Sequence, residues 1–168
     1  MNVTTPAAPR FTAALAQGAT ATGGAALLGM AGVEAWQVFA RYVLNASPGW
    51  TEPLALLLLV TAMSLGAASG VRSAAHFGFF IVVHTAPPRV RRVLEACAQL
   101  IIAAVGGLLA IASTRLFVDG LPVPMAGIAL PQSAPYLPLA IAGALIVVFA
   151  LERIWLSSRA VAESHQHG

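Results

Sequence analysis

PLALLLLVTAMSLGAASGV, residues 53–71, is a run of 19 residues without a single formal charge. An α-helix rises about 1.5 Å per residue and the hydrocarbon core of a bilayer is roughly 30 Å thick, so about 20 apolar residues cross it. Within the run, residues 54–60 (LALLLLV) offer no polar position at helical period, which a helix on the flank of a soluble protein would need. The stretch reads as a membrane-spanning helix. Further charge-free windows cover residues 11–33, 96–114 and 120–151, the last with a proline-rich loop ahead of its apolar half. The expected fold is therefore an all-α integral membrane protein with four transmembrane helices in a single domain. The spans are expected at residues 12–44, 53–71, 90–117 and 136–156.

Composition and charge agree with that reading. Of 168 residues, 58% are hydrophobic and 9% charged, too few charges to hydrate the surface of a soluble domain. The net charge of +3 comes from nine arginines against six acidic residues. If the chain weaves through the bilayer four times, Arg10, Arg72, Arg89, Arg91, Arg92, Arg153 and Arg159 share one side, leaving Arg41 and Arg115 on the other. Cytoplasmic segments carry the excess of basic residues, so both termini are expected in the cytoplasm. A nucleic-acid footprint would cluster on one surface instead of following the spans; membrane lipid is the expected partner of these charges and nucleic acid is not. The lone Cys97 has no second cysteine for a disulfide or a CxxC pair and reads as a small apolar side chain. Arg10 followed by an apolar run and Ala19-Thr20-Ala21 imitates a secretory leader. The run continues to Val33, so an uncleaved anchor is expected.

Between the spans, residues 45–50 (NASPGW) form a turn broken by Pro48 and Gly49, after which Thr51 is expected to cap the next helix with Glu52 and Pro53 in its first turn. Residues 72–89 are too short and interrupted for a span. Their apolar patch (Phe77, Phe79, Phe80, Ile81, Val82, Val83) between His76 and His84 suggests a short cytoplasmic-side interfacial segment, closed by Pro87-Pro88. Residues 118–135 hold four prolines and two glycines and form an outer loop, apolar enough to dip toward the membrane or rest on another protein. Trp36, Tyr42, Trp50 and Tyr136 fall near the outer boundary and Trp155 near the inner one, as amphipathic rings do. Gly18, Gly23, Gly24, Ala25, Gly29 and Gly32 along the first helix permit close helix contact, although such residues are common in membrane helices generally.

Six residues are candidates for contacts that order the helices or bind a partner: Glu34, Arg41, Trp50, Glu52, Arg72 and His76. A carboxylate at mid-membrane costs about 2.5–3.5 kcal/mol, less toward the boundary, so Glu34 needs a partner or water. Arg41 lies seven residues on, about 10 Å along the axis, too far for a direct pair. Glu52 can instead reach Arg41 across the turn, giving a polar clasp at the outer ends of the first two helices. Arg72 and His76 stand at i and i+4 on the inner side, where they can face lipid phosphates or another protein, and Arg115 and Asp119 form a similar pair at a helix end. None of the four histidines falls at a facing depth within the spans, so neither haem nor metal ligation is expected. There is no paired-carboxylate site, Ser/His/Asp set, phosphate-binding glycine loop or HExxH, so no enzyme and no cofactor is expected. Nor do the later spans carry the mid-membrane charges or symmetric broken helices of a self-sufficient transport pathway.

In order along the chain, Arg41-Tyr42, Asn45, Ser47, Trp50, Thr51-Glu52, Leu65-Gly66-Ala67, Arg72, His76, Pro87-Pro88 and Tyr136-Leu137-Pro138 resemble the small permease (DctQ-type) subunit of TRAP transporters, the tripartite ATP-independent periplasmic family. The likeness covers about residues 33–151. Two positions depart from the family pattern: Pro53 stands where a second acidic residue is common, and Phe80 where an aspartate often follows the histidine by four positions. The resemblance implies a non-catalytic subunit in a bacterial inner membrane, paired with a large (DctM-type) permease that carries substrate and sodium. A periplasmic (DctP-type) binding protein then delivers an organic acid such as a dicarboxylate, and the small subunit enlarges the scaffold against which the transport domain moves. Two other classes fit four apolar helices. One is the membrane anchor subunit of a respiratory enzyme, which a haem spectrum would mark. The other is a self-contained small exporter, which transport by the isolated chain would establish.

Overall fold

A computed structural model describes residues 10–46, 48–72 and 88–164. Four helices make up most of it: α1 (Arg10–Tyr42), α2 (Thr51–Arg72), α3 (Pro88–Asp119) and α4 (Tyr136–Ser164). The expected interfacial segment, apart from its two ends, lies outside the described residues, as do His76 within it, Ser47 and the last four residues.

Among the described residues, three helices are long and apolar enough to cross a membrane, over Thr51–Arg72, Val93–Asp119 and Tyr136–Leu156. The first helix stands apart from them. It forms over 33 residues, about 50 Å at helical rise, but is not among those three. Its apolarity is diluted by Thr12, Gln17, Gly18, Thr20, Thr22, Gly23, Gly24 and Glu34. At the other end of the chain, α4 continues beyond residue 156 to Ser164.

Broad contacts join α1 to α2, α2 to α4, and α4 to α3. The helices therefore stand in the row α1–α2–α4–α3, each antiparallel to the next except α2 and α4, which run in the same direction. Small residues set the spacing between α3 and α4. A Cβ added at Gly143 would come within 2.7 Å of Ala110 N, and one at Gly106 within 2.6 Å of Ile146 Cγ2. Backbones this close gain the dispersion that substitutes in lipid for hydrophobic drive. On α1 only some glycines do this. Gly23 faces Ala62 and Gly66, and Gly29 faces Leu58, while Gly18, Gly24 and Gly32 have open space. Where α1, α2 and α4 meet, Ala16, Ala19, Leu65, Ala68, Val71, Ala142 and Phe149 form a thin core in which Phe149 is the one large side chain fully buried.

The α1–α2 turn closes by backbone chemistry. Asn45 adopts φ 50, a left-handed conformation that its short polar side chain tolerates, and Ala46 N–H donates back to Ala40 C=O at 3.0 Å. Thr51 does not act as the expected cap of α2. It is the first helical residue, fully buried, and its hydroxyl donates to Pro48 C=O at 2.9 Å, while Trp50 C=O accepts the helical bond from Leu54 N–H. The loop over residues 118–135 folds as a small hairpin: Gln132 N–H donates to Val123 C=O and Met125 N–H to Leu130 C=O, each at 2.8 Å. At its tip Gly127 has φ 84, and any Cβ there would overlap the Gly49 carbonyl, so glycine is required for the two loops to touch.

Candidate functional site

Charged and polar side chains collect at the two ends of the row. At one end, the start of α1, the end of α2 and the late part of α4 converge on Glu152. Thr12 Oγ1 donates to Glu152 Oε1 at 2.6 Å, and Arg72 Nε faces Glu152 Oε2 at 3.6 Å. The Glu152 side chain is 6% exposed and that of Arg72 23%. At 3.6 Å the charges attract, but the separation is too long for a hydrogen bond, and both atoms are buried without one. Arg153 reaches across to donate to Val71 C=O at 3.3 Å, satisfying a carbonyl of the last turn of α2. Arg72 thus faces the carboxylate, and Arg153 a backbone carbonyl of the neighbouring helix. Phe149 lies one turn before Glu152 and closes the apolar core beneath it.

Of this junction, sequence reading had singled out only Arg72. A usable signal for the remainder was the adjacency of Glu152 and Arg153. Neighbours on a helix project about 100° apart and do not face each other, so each of these opposite charges had to find its partner on another helix.

The other end gathers Glu34, Arg41, Trp50 and Glu52, all exposed. Among the described residues no ion pair joins Arg41 to Glu52, nor Arg115 to Asp119, and all four side chains are exposed. The physical reason is the small return, about 0–1 kcal/mol, for ordering two long exposed side chains. In the second pair the basic residue also precedes the acidic one, the weaker order on a helix. The register of α1 on α2, with Gly23 beside Ala62 and Gly66 and Gly29 beside Leu58, sets Glu34 level with the first turn of α2. Beside these charges, the Gly49–Gly127 contact holds Trp50 next to the hairpin of residues 118–135, whose Leu121, Val123 and Leu130 are exposed. His76, the sixth candidate, lies outside the described residues. Among the described residues there is no group of three or more His, Cys, Asp or Glu that could hold a metal ion.

A family model described as "Tripartite ATP-independent periplasmic transporters, DctQ component" matches residues 30–160, more than three quarters of the chain. The matched stretch includes Arg72 and Glu152 and leaves out Thr12 and the first half of α1. No curated protein matches the chain.

Proposed function

The chain belongs to the DctQ component family of tripartite ATP-independent periplasmic transporters, and on that premise we propose that it braces the large permease of such a system. That permease carries an organic acid inward on a sodium gradient, after a periplasmic binding protein has delivered it, in a bacterial inner membrane. The observation that carries this reading is the open row of helices. A closed bundle would turn its apolar stripes inward, whereas here Leu28, Met63, Ile101 and Leu108 are all exposed. A row of this kind presents two broad faces that lipid and a second membrane protein can share.

In this reading α1 is the helix that the large permease covers. At about 50 Å it is long enough to complete a fourth crossing, but its threonines, glutamines and Glu34 suit a protein neighbour better than lipid tails. Both termini face the cytoplasm, in keeping with the arginine distribution. The Trp50 end then faces the periplasm, where Trp50, Leu121, Val123 and Leu130 offer an apolar platform rimmed by Arg41 and Glu52. Aromatic anchors rimmed by polar residues are the usual composition of a protein-binding patch. Copurification tests the reading: the tagged chain, extracted in mild detergent, brings down the large permease in fixed ratio. Recovery of the chain without it, under conditions where both are expressed, overturns the proposal.

A further inference from the structure

Between α1 and the end of α2 runs an open groove of about 390 Å³ lined by Ala13, Ala16, Gln17, Thr20, Ala21 and Arg72. We infer that this groove holds one phospholipid, with the headgroup phosphate on Arg72 and Gln17 and an acyl chain along the alanines toward Ala21.

Position supports this first. Arg72 is the last residue of a helix long and apolar enough to cross the membrane, which puts its guanidinium at the depth of lipid phosphates. Antiparallel packing, with Thr20 Oγ1 2.6 Å from Ser69 Oγ and Gly23 beside Ala62, sets Arg72 about level with Ala16. The groove therefore extends from Arg72 into the hydrocarbon as far as Ala21 and toward water as far as Ala13.

Charge supports it next. Among the described side chains, Arg72 is the one charged group that lines the groove. Glu152 approaches Arg72 at Nε, 3.6 Å away, and that nitrogen makes no hydrogen bond. A guanidinium held from behind by a carboxylate is preorganised for a bidentate phosphate contact. The Thr20 hydroxyl is already committed to Ala16 C=O and Ser69, so Gln17, which is exposed, supplies the second polar group.

Shape completes the argument. Ala13, Ala16 and Ala21 line the groove along α1 with methyl groups, and Arg72 is the lining residue that α2 contributes. All the α1 residues that line it precede residue 30, ahead of the stretch matched to the family. The inference rests on the membrane setting of the chain and not on the identity of its partner.

The test uses the full chain, purified and delipidated in detergent, with lipid binding followed by native mass spectrometry. The probes are phosphatidylglycerol, diacylglycerol with the same acyl chains, and inorganic phosphate. Phosphatidylglycerol is expected to bind one per chain, with diacylglycerol and inorganic phosphate each about tenfold weaker or more. Arg72→Gln is expected to lower phosphatidylglycerol affinity by about tenfold. Because Arg72 also faces Glu152, Ala21→Leu gives an independent arm: it fills the groove from an exposed position, leaves the junction intact, and is expected to displace the lipid. Equal binding of phosphatidylglycerol to the wild type and Ala21→Leu overturns the proposal. So does diacylglycerol binding as tightly as phosphatidylglycerol, or inorganic phosphate alone displacing the lipid, which would indicate a plain anion site. Retention of a copurified acidic protein in place of lipid would assign the groove to a partner and likewise overturn it.

Discussion

Glu152 of α4 faces Arg72 of α2 at 3.6 Å while accepting a hydrogen bond from Thr12 of α1, so that one carboxylate ties three helices at one end of the row. In a protein whose apolar core is mostly alanine, this junction and the tight glycine crossings do much of the work of fixing helix positions.

Breaking the junction from one side is expected to be costly because it leaves the opposite charge buried. Glu152→Ala should destabilise the chain by roughly 3 kcal/mol, the low end for a buried pair since Arg72 keeps some exposure. Restoring both charges in exchanged positions, Arg72→Glu with Glu152→Arg, should recover part of the loss. Thermal unfolding in detergent, read from tryptophan fluorescence, checks both. An unchanged midpoint in Glu152→Ala would mean the junction is ornamental.

The glycines divide into two classes with opposite expected signs. Gly143→Ala forces α3 and α4 apart, since its Cβ would lie 2.7 Å from Ala110 N, and should cost about 1–3 kcal/mol. Gly24→Ala meets nothing within 4 Å and should be neutral or stabilising by up to about 1 kcal/mol, because glycine is the poorer helix former. Unfolding midpoints of the two variants, measured side by side, separate close approach from mere abundance of small residues.

At the outer hairpin, Gly127→Ala combines a left-handed backbone with a collision against the Gly49 carbonyl. A loss of about 1–3 kcal/mol of local stability is expected. Limited proteolysis should then cut within residues 121–135 at least several times faster than in the wild type, with the helices still intact by circular dichroism.

The exposed charges at the Trp50 end should behave differently. Arg41→Ala and Glu52→Ala leave no buried partner behind, so stability should change by no more than about 0.5 kcal/mol. If these residues meet the large permease or the binding protein, copurification and uptake should fall, with Trp50→Ala the most severe at roughly tenfold or more. Full complex yield and transport in all three variants would remove this end from the interface.

How much of this was legible in the sequence depends on the kind of signal. The three apolar helices announce themselves because transfer into lipid is a sum over residues, and uncharged runs such as 54–60 leave no alternative. The end of α1 and the breaks in the 118–135 loop followed from Asn45, Pro48 and the prolines. What the sequence hid was pairing. Glu152 stands next to Arg153, but nothing local reveals that its partners are Thr12 and Arg72, since that depends on α4 lying beside α2, a helix it does not follow in the sequence. Spacing alone suggests an Arg41–Glu52 clasp, but an exposed pair gains too little to be ordered within this chain. Thr51 was read as a cap from residue type, whereas its hydroxyl serves the turn through Pro48.

The most direct test of the bracing role is uptake into proteoliposomes under an inward sodium gradient, with the large permease and binding protein present and this chain either included or left out. The account predicts uptake only when all three are present and none by this chain alone. Solute movement by the chain on its own, or full uptake without it, would contradict the account.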